Sequence, residues 1–163
     1  MVHPELILHM LLMLVVANGT PVFARWVLGS RWAMPLDGGR RLRDGQALFG
    51  KSKTIRGIVL SVPATALASL LLGHGPEIGA VFGILSLAGD LSTSFLKRRL
   101  GLPPSSRSFP LDYLAESLLP LLVVKHPLGL TALDVLAVVL AFVLTDLITS
   151  RILFRLGIRN HPY

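Results

Sequence analysis

The sequence predicts an all-α integral membrane protein of about five transmembrane helices, N-terminus out and C-terminus in, with a basic cytoplasmic loop. Three observations carry that expectation. Apolar residues make up 52% of the 163 residues and charged ones only 15%, against about 25% charged in an ordinary soluble domain. Five apolar stretches approach the length that crosses a bilayer. The 16 Lys and Arg are distributed almost wholly to one side of those stretches. The mean hydropathy of +0.66 and the pI of about 10.8 belong together here. A basic pI ordinarily raises nucleic acid as a partner, but the bases are few and the apolar runs long, so no nucleic acid is expected. The chain has no Cys, which excludes a disulfide framework and a thiolate metal site.

The first span is expected over 6–28, an apolar run from Leu6 to Ala17, then Asn18-Gly19-Thr20-Pro21, then Val22 to Leu28. Its flank carries His3 and Glu5 but no Lys or Arg, so it reads as a retained span and not a cleaved signal peptide. The second, 57–73, is uncharged. The third, 78–96, holds Asp90 alone. The fourth, 111–128, holds Asp112, Glu116 and Lys125, and the fifth, 131–153, holds Asp134 and Asp146. Each is expected to be helical, because lipid offers the backbone no other partner. The spans and the cytoplasmic loops 29–56 and 97–110 form a single transmembrane domain over 1–163.

Orientation follows from the loops. The segment 25–56 holds eight Lys or Arg, 97–110 holds four, including Arg107, and the tail holds Arg151, Arg155 and Arg159; only Lys125 falls on the other face. The positive-inside rule assigns the crowded side to the cytoplasm. An odd number of spans satisfies the pattern and an even number breaks it. The outer loops are short, so chemistry is expected at the cytoplasmic face, and His74, His126 and His161 are read as bland.

The first cytoplasmic loop carries two acid-glycine turns, Asp37-Gly38-Gly39 and Asp44-Gly45, before Gly50-Lys51-Ser52-Lys53-Thr54-Ile55-Arg56-Gly57. Glycines let backbone approach an anion, and Lys51, Lys53, Thr54 and Arg56 supply donors suited to a polyphosphate. The Walker A spacing is missing. The competing reading is an ordinary basic anchor loop against acidic lipid heads.

Three acids share one depth near that loop. Asp90, Ser94 and Lys97 stand at i, i+4 and i+7 on one helical face. A carboxylate at membrane depth is a functional candidate, as a metal ligand or a partner for a cation; the competing reading is an ion pair with Lys97 or Arg98. Asp112 and Glu116 stand at i and i+4, where two carboxylates can hold a hard cation or serve as N-cap and first-turn acid. Together the three carboxylates and the facing bases describe a Mg²⁺–nucleotide site. Asn18 and Pro21 are expected to break the first helix, as a kink or a substrate contact. Thr131 to Asp134 looks like a capping box. Asp146 is expected to pair with another helix or line the cleft.

The motifs, taken in order, resemble a known family. Asn18-x-x-Pro21, Pro35-Leu36-Asp37-Gly38-Gly39, Asp44-Gly45, Gly50-Lys51-x-Lys53-Thr54-x-Arg56-Gly57, Gly89-Asp90-x-x-x-Ser94-Phe95-x-Lys97-Arg98-Arg99 and Leu111-Asp112 resemble CDP-archaeol synthases, which are similar to phosphatidate cytidylyltransferases. The resemblance runs from about residue 18 to 122. It implies transfer of CMP from CTP to the phosphate of an acidic membrane lipid, with Mg²⁺ and release of pyrophosphate, in phospholipid biosynthesis. It further implies that Lys51, Lys53, Thr54 and Arg56 bind the CTP phosphates. Asp90, Asp112, Lys97 and Arg98 would form the catalytic group, with Asp90, Asp112 and Glu116 toward the metal. Asn18, Asp37 and Ser94 would contact substrate. The implied location is the cell (inner) membrane, with the site on the cytoplasmic face. Two departures stand out. The family's second acid, three residues after Asp112, is Ala115 here, with Glu116 beside it. The stretch 103–110 lacks the glycines the family often shows.

Two other classes of function compete with this enzyme. One is a non-catalytic membrane protein of the same fold that binds acidic lipid or nucleotide. The other is a small transporter, disfavoured because polar residues cluster at one face and not through the midplane.

Overall fold

The computed structural model describes residues 2–102 and 110–158. Arg107, Arg159, His161 and the glycine-poor stretch 103–109 lie outside the described residues. The chain forms α1 (Pro4–Leu28), α2 (Ile55–Leu71), α3 (Pro76–Arg99), α4 (Leu111–Leu128) and α5 (Ala132–Arg155), with no β-strand among the described residues. Each expected span is therefore a helix, with ends within a few residues of those read from the sequence. Three of them, α1, α3 and α5, are long and apolar enough to cross a membrane. α2 has 17 residues, about 26 Å at 1.5 Å per residue, and α4 carries the three charges already noted.

The helix ends follow local chemistry. Pro4 and Pro76 begin their helices, where a missing N–H costs nothing. Thr54 caps α2, its hydroxyl accepting from the Gly57 N–H at 3.2 Å. Thr131 and Asp134 form the expected capping box on α5. Gly129 ends α4 in the left-handed conformation, which glycine adopts without a Cβ clash.

One expectation is corrected. Asn18 and Pro21 do not break α1, which runs unbroken through both. The neighbouring helices pack around the site, and the Asn18 amide is used inside the bundle, donating to Leu14 O at 3.1 Å and to Ser86 Oγ at 3.0 Å. Membrane helices tolerate proline when neighbours and polar side chains satisfy what it frees.

Packing is that of a membrane bundle. Leu67, Leu122, Leu140, Leu144 and Ile148 point outward, whereas Ser61, Thr65, Ser69, Ser86 and Ser117 are buried. Lipid tails are as apolar as leucine, so helices associate through small residues that let backbones approach. A Cβ on Gly79 would sit 2.5 Å from Thr65 O, and one on Gly89 would sit 2.2 Å from Ala115 O. These contacts lock α3 against α2 and α4. The apolar core joins Met10, Met13 and Leu14 of α1 to Phe82, Leu121, Val138 and Phe142. At the end away from the basic loop, His3 ties α1 to α5: its backbone N–H and ring Nδ1 both lie 2.8 Å from the Asp134 carboxylate.

Candidate active site

The α1–α2 loop is pinned in place by its own polar residues. Asp37 accepts from the backbone N–H groups of Gly39, Phe49 and Gly50 at 2.9–3.0 Å. Burial alone would raise its carboxyl, but these three N–H groups outweigh burial and hold it below the ordinary carboxylate range. Arg56 donates to Gly29 O at 3.0 Å and to Arg31 O. Arg99, from the end of α3, donates to Asp44 and, at 2.6 Å, to Ala47 O. Leu36 N–H donates to Lys53 O at 2.8 Å, which fixes the last turn of the loop.

That anchoring carries Lys53 onto the membrane helices. Its ammonium forms an ion pair with Asp90 of α3. Burial would lower the ammonium, but the carboxylates of Asp90, Glu116 and Asp112 outweigh burial and hold it above the ordinary lysine range. Two turns further along α3, Lys97 Nζ lies 2.9 Å from Asp112 Oδ2 of α4. Glu116 of α4 lines the same cavity as Lys53, Asp90 and Asp112. Asp90 thus pairs with a cation from the loop and not with Lys97 or Arg98 of its own helix, the partners in the competing reading. The two lysines cross instead to carboxylates distant in sequence. Asp112 does not cap α4, whose N-cap is Pro110 without a side-chain hydrogen bond.

These groups line one cavity of about 320 Å³, with Asn18 and Arg25 of α1, Thr54 and Ser52 of the loop, and Tyr113, Thr145 and Asp146. Tyr113 Oη donates to Asp146 Oδ2 at 3.1 Å, and Ser150 Oγ lies 3.3 Å from the same oxygen. Asp146 therefore both pairs with another helix and lines the cleft, as its sequence position allowed. Lys51 and Arg56 line an adjoining groove with Thr54 and Arg25. Asp37, Ser94 and Arg98 are buried and are not among the residues lining either space. Nothing in the sequence singles out Arg25, Ser52, Tyr113, Thr145 or Thr149, and the loop clamp made by Arg99 is equally hidden there. Only an i, i+4 or i+3 pattern is visible along one helix, and these residues meet across helices.

The donor set suits a hard cation. Asp90, Glu116 and Asp112 bring three carboxylates to one cavity, and like charges gathered there need cations among them. Among the described residues no three His, Asp or Glu side chains stand in a metal-ligating arrangement; the two lysine ammoniums hold the carboxylates instead.

A five-helix intramembrane bundle with acids and lysines gathered below a pinned basic loop defines a membrane-embedded enzyme of anionic substrates. The comparisons make the class specific. A family model described as CarS-like, CDP-archaeol synthase, matches residues 75–163. The chain is 37% identical to the CDP-archaeol synthase of Aeropyrum pernix, over 91% of this chain and 86% of that protein. It is 34% identical to that of Thermofilum pendens, over 91% of this chain and 76% of that one. A solved structure of an intramembrane enzyme for archaeal membrane lipid biosynthesis superposes with a TM-score of 0.70 at 34% identity, covering 86% of this chain and 90% of that one. The chain belongs to the CDP-archaeol synthase family.

Proposed function

We propose that this protein is a CTP-dependent cytidylyltransferase that forms a CDP-activated membrane lipid. A phosphate oxygen of the lipid attacks the α-phosphorus of CTP. The new P–O bond forms as the bond from the α-phosphorus to the bridging oxygen breaks, and pyrophosphate leaves. The observation that carries this reading is the meeting of Lys53 and Lys97 with Asp90, Asp112 and Glu116 in one cavity, in a chain whose relatives are named for that reaction. The lipid is an ether-isoprenoid phosphate by analogy with those names, and a diacyl phosphate is the alternative.

The residues divide the work. Lys51, Lys53 and Thr54 lie where donors from a loop can meet a polyphosphate. Lys97 neutralises charge on the lipid phosphate or the departing pyrophosphate. Arg98 and Arg56 act from buried positions, Arg56 by fixing the loop end through two carbonyls. Asn18 lines the wall nearest the lipid, and Asp37 and Ser94 support the loop and α3 that frame the substrates. Asp90, Asp112 and Glu116 would hold Mg²⁺, which when bound neutralises phosphate charge and withdraws electrons from the reacting phosphorus. Glu116 lines the cavity and Ala115 does not, which supports Glu116 as the substitute for the family's second acid. Holding both anions in line and neutralised is most of the catalysis such a transfer needs, because the lipid phosphate is already a nucleophile. The concentration of Lys and Arg near this end supports a site on the cytoplasmic face of the cell membrane.

The test is CMP transfer in detergent from radiolabelled CTP to digeranylgeranylglyceryl phosphate and, in parallel, to phosphatidic acid, with and without Mg²⁺. Label is expected in an organic-soluble CDP-lipid, with the ether lipid preferred. CTP binding without transfer to either lipid would favour the non-catalytic reading, and absence of CTP binding would refute the nucleotide reading.

A further inference from the structure

The end of the bundle away from the basic loop holds a pair of side chains that the proposed reaction does not use. His74, bland by its sequence position, sits in the turn between α2 and α3, and its Nε2 lies 2.9 Å from Nδ1 of His9 on α1. The rings meet edge to face, with centroids 5.0 Å apart. Both residues are half-buried. The turn is built to present this ring. Gly73 and Gly75 flank His74 with φ of +82° and +84°, a conformation that residues with a Cβ rarely adopt. The His74 N–H donates to Ser69 O at 3.0 Å, and the Ser69 hydroxyl donates to Gly75 O at 2.7 Å. The backbone is thus held on both sides of His74.

The charge around this pair is negative. Glu5 stands one turn before His9 on the same face of α1. The Glu77 carboxylate folds back over the turn, its Oε2 3.1 Å from where a Gly75 Cβ would stand. Two imidazole nitrogens aimed at each other can share a proton or hold a metal. Metal–imidazole bonds are about 2.0–2.1 Å, so two of them span about 2.9 Å at a right angle and about 3.3 Å at the tetrahedral angle. The observed 2.9 Å fits the first and lies a small side-chain rotation from the second. The ring that donates in the hydrogen bond moves its proton to its other nitrogen on ligation, so two neutral rings bind an ion with no net loss of a proton. Nitrogen ligands favour a transition ion over Mg²⁺ or Ca²⁺. No third His, Asp or Glu among the described residues completes the set, which leaves the remaining positions to water.

We propose that His9 and His74 form a clip for a divalent transition ion of the zinc type, which ties α1 to the α2–α3 turn. The 17 residues of α2, about 26 Å of helix, lie between this clip and the loop that carries Lys53. It is therefore distinct from the carboxylate site, and it stands or falls independently of the reaction proposed above.

The test is calorimetric titration of Zn²⁺ into the full chain, free of any affinity tag, in detergent with excess Mg²⁺. The wild type is expected to show a zinc site that His9→Ala and His74→Ala each weaken at least about tenfold. Zinc should raise the melting temperature of the wild type, because the clip exists only in the folded state, and should raise that of either variant less. His74→Gln separates ligation from packing. Its amide can still hydrogen-bond to His9, so without zinc it should melt like the wild type, yet it should lose the zinc site as His74→Ala does. A wild type that binds no Zn²⁺ overturns the clip. So does zinc affinity that is equal in the wild type and all three variants.

Discussion

Gly89→Ala tests the geometry that assembles the carboxylates. The new Cβ would lie 2.2 Å from Ala115 O, 2.5 Å from Ala115 C and 2.9 Å from Glu116 N. All three are backbone atoms, so no rotamer change can relieve the clash. Ordinary van der Waals contact begins at 3.4 Å, so α3 and α4 must separate by about 1.2 Å at this point. Asp90 is the next residue on α3, and Glu116 follows Ala115 on α4, so the separation falls directly on two carboxylates that line the cavity. Overpacking of this kind costs about 1–3 kcal/mol, and a misplacement near 1 Å costs about a hundredfold in rate. The assay is CMP transfer from CTP in detergent alongside the thermal melting of the same preparation. Gly79→Ala is the control. It meets Thr65 O and Ser69 Cβ at 2.5 Å, on the α2–α3 contact away from the carboxylates, so it should lower the melting temperature with a much smaller effect on kcat. Gly89→Ala retaining wild-type kcat, or Gly79→Ala losing as much activity for the same loss of stability, would refute the positioning argument.

Lys53→Met should abolish CMP transfer and destabilise the bundle by up to about 3–5 kcal/mol, because it strands Asp90 beside Glu116 without a counter-charge; a melting curve and transfer assay check both. The loop should loosen in acid. The Asp37 carboxyl is held below its ordinary range, so its contribution is complete above that range and lost as pH falls through the depressed value; faster hydrogen exchange at the Phe49 and Gly50 amides is the expected signature. Lys53 has the opposite sign: its ammonium is raised, so its pairing with Asp90 should survive past the ordinary lysine range and fail only above it, read as retained CTP binding in alkaline buffer. Asp134→Ala removes half of the α5 capping box and the His3 anchor, and should cost about 1–2 kcal/mol of stability while leaving the KM for CTP unchanged.

Much of the fold was legible because membrane spans obey a simple constraint. A helix in lipid must be apolar outside and long enough, and all five apolar runs became helices. The motif strings also name residues that the fold brings together, since Lys53, Asp90, Asp112 and Glu116 line one cavity. What misled was local reasoning about α1. Pro21 was expected to break it, but α1 runs unbroken through that position and Ser86 takes the Asn18 amide. At Asp90 the sequence allowed a cation as partner, and one is present, but it is not the i+7 neighbour Lys97 of the competing reading. The pinned loop brings a different lysine.

The sequence by itself determined the helices, the loops that hold most of the charge, and the residue types gathered in the cavity, because hydropathy, capping residues and charge asymmetry are properties of consecutive positions. The tertiary structure alone decided the pairing. Lys53 with Asp90 and Lys97 with Asp112 are separated by 37 and 15 positions, and no periodicity links them. The close approach at Gly89 and the Tyr113–Asp146 bond have the same origin. Each depends on how far apart two helix backbones stand, a distance fixed by the small residues between them and by the loop that closes over their ends.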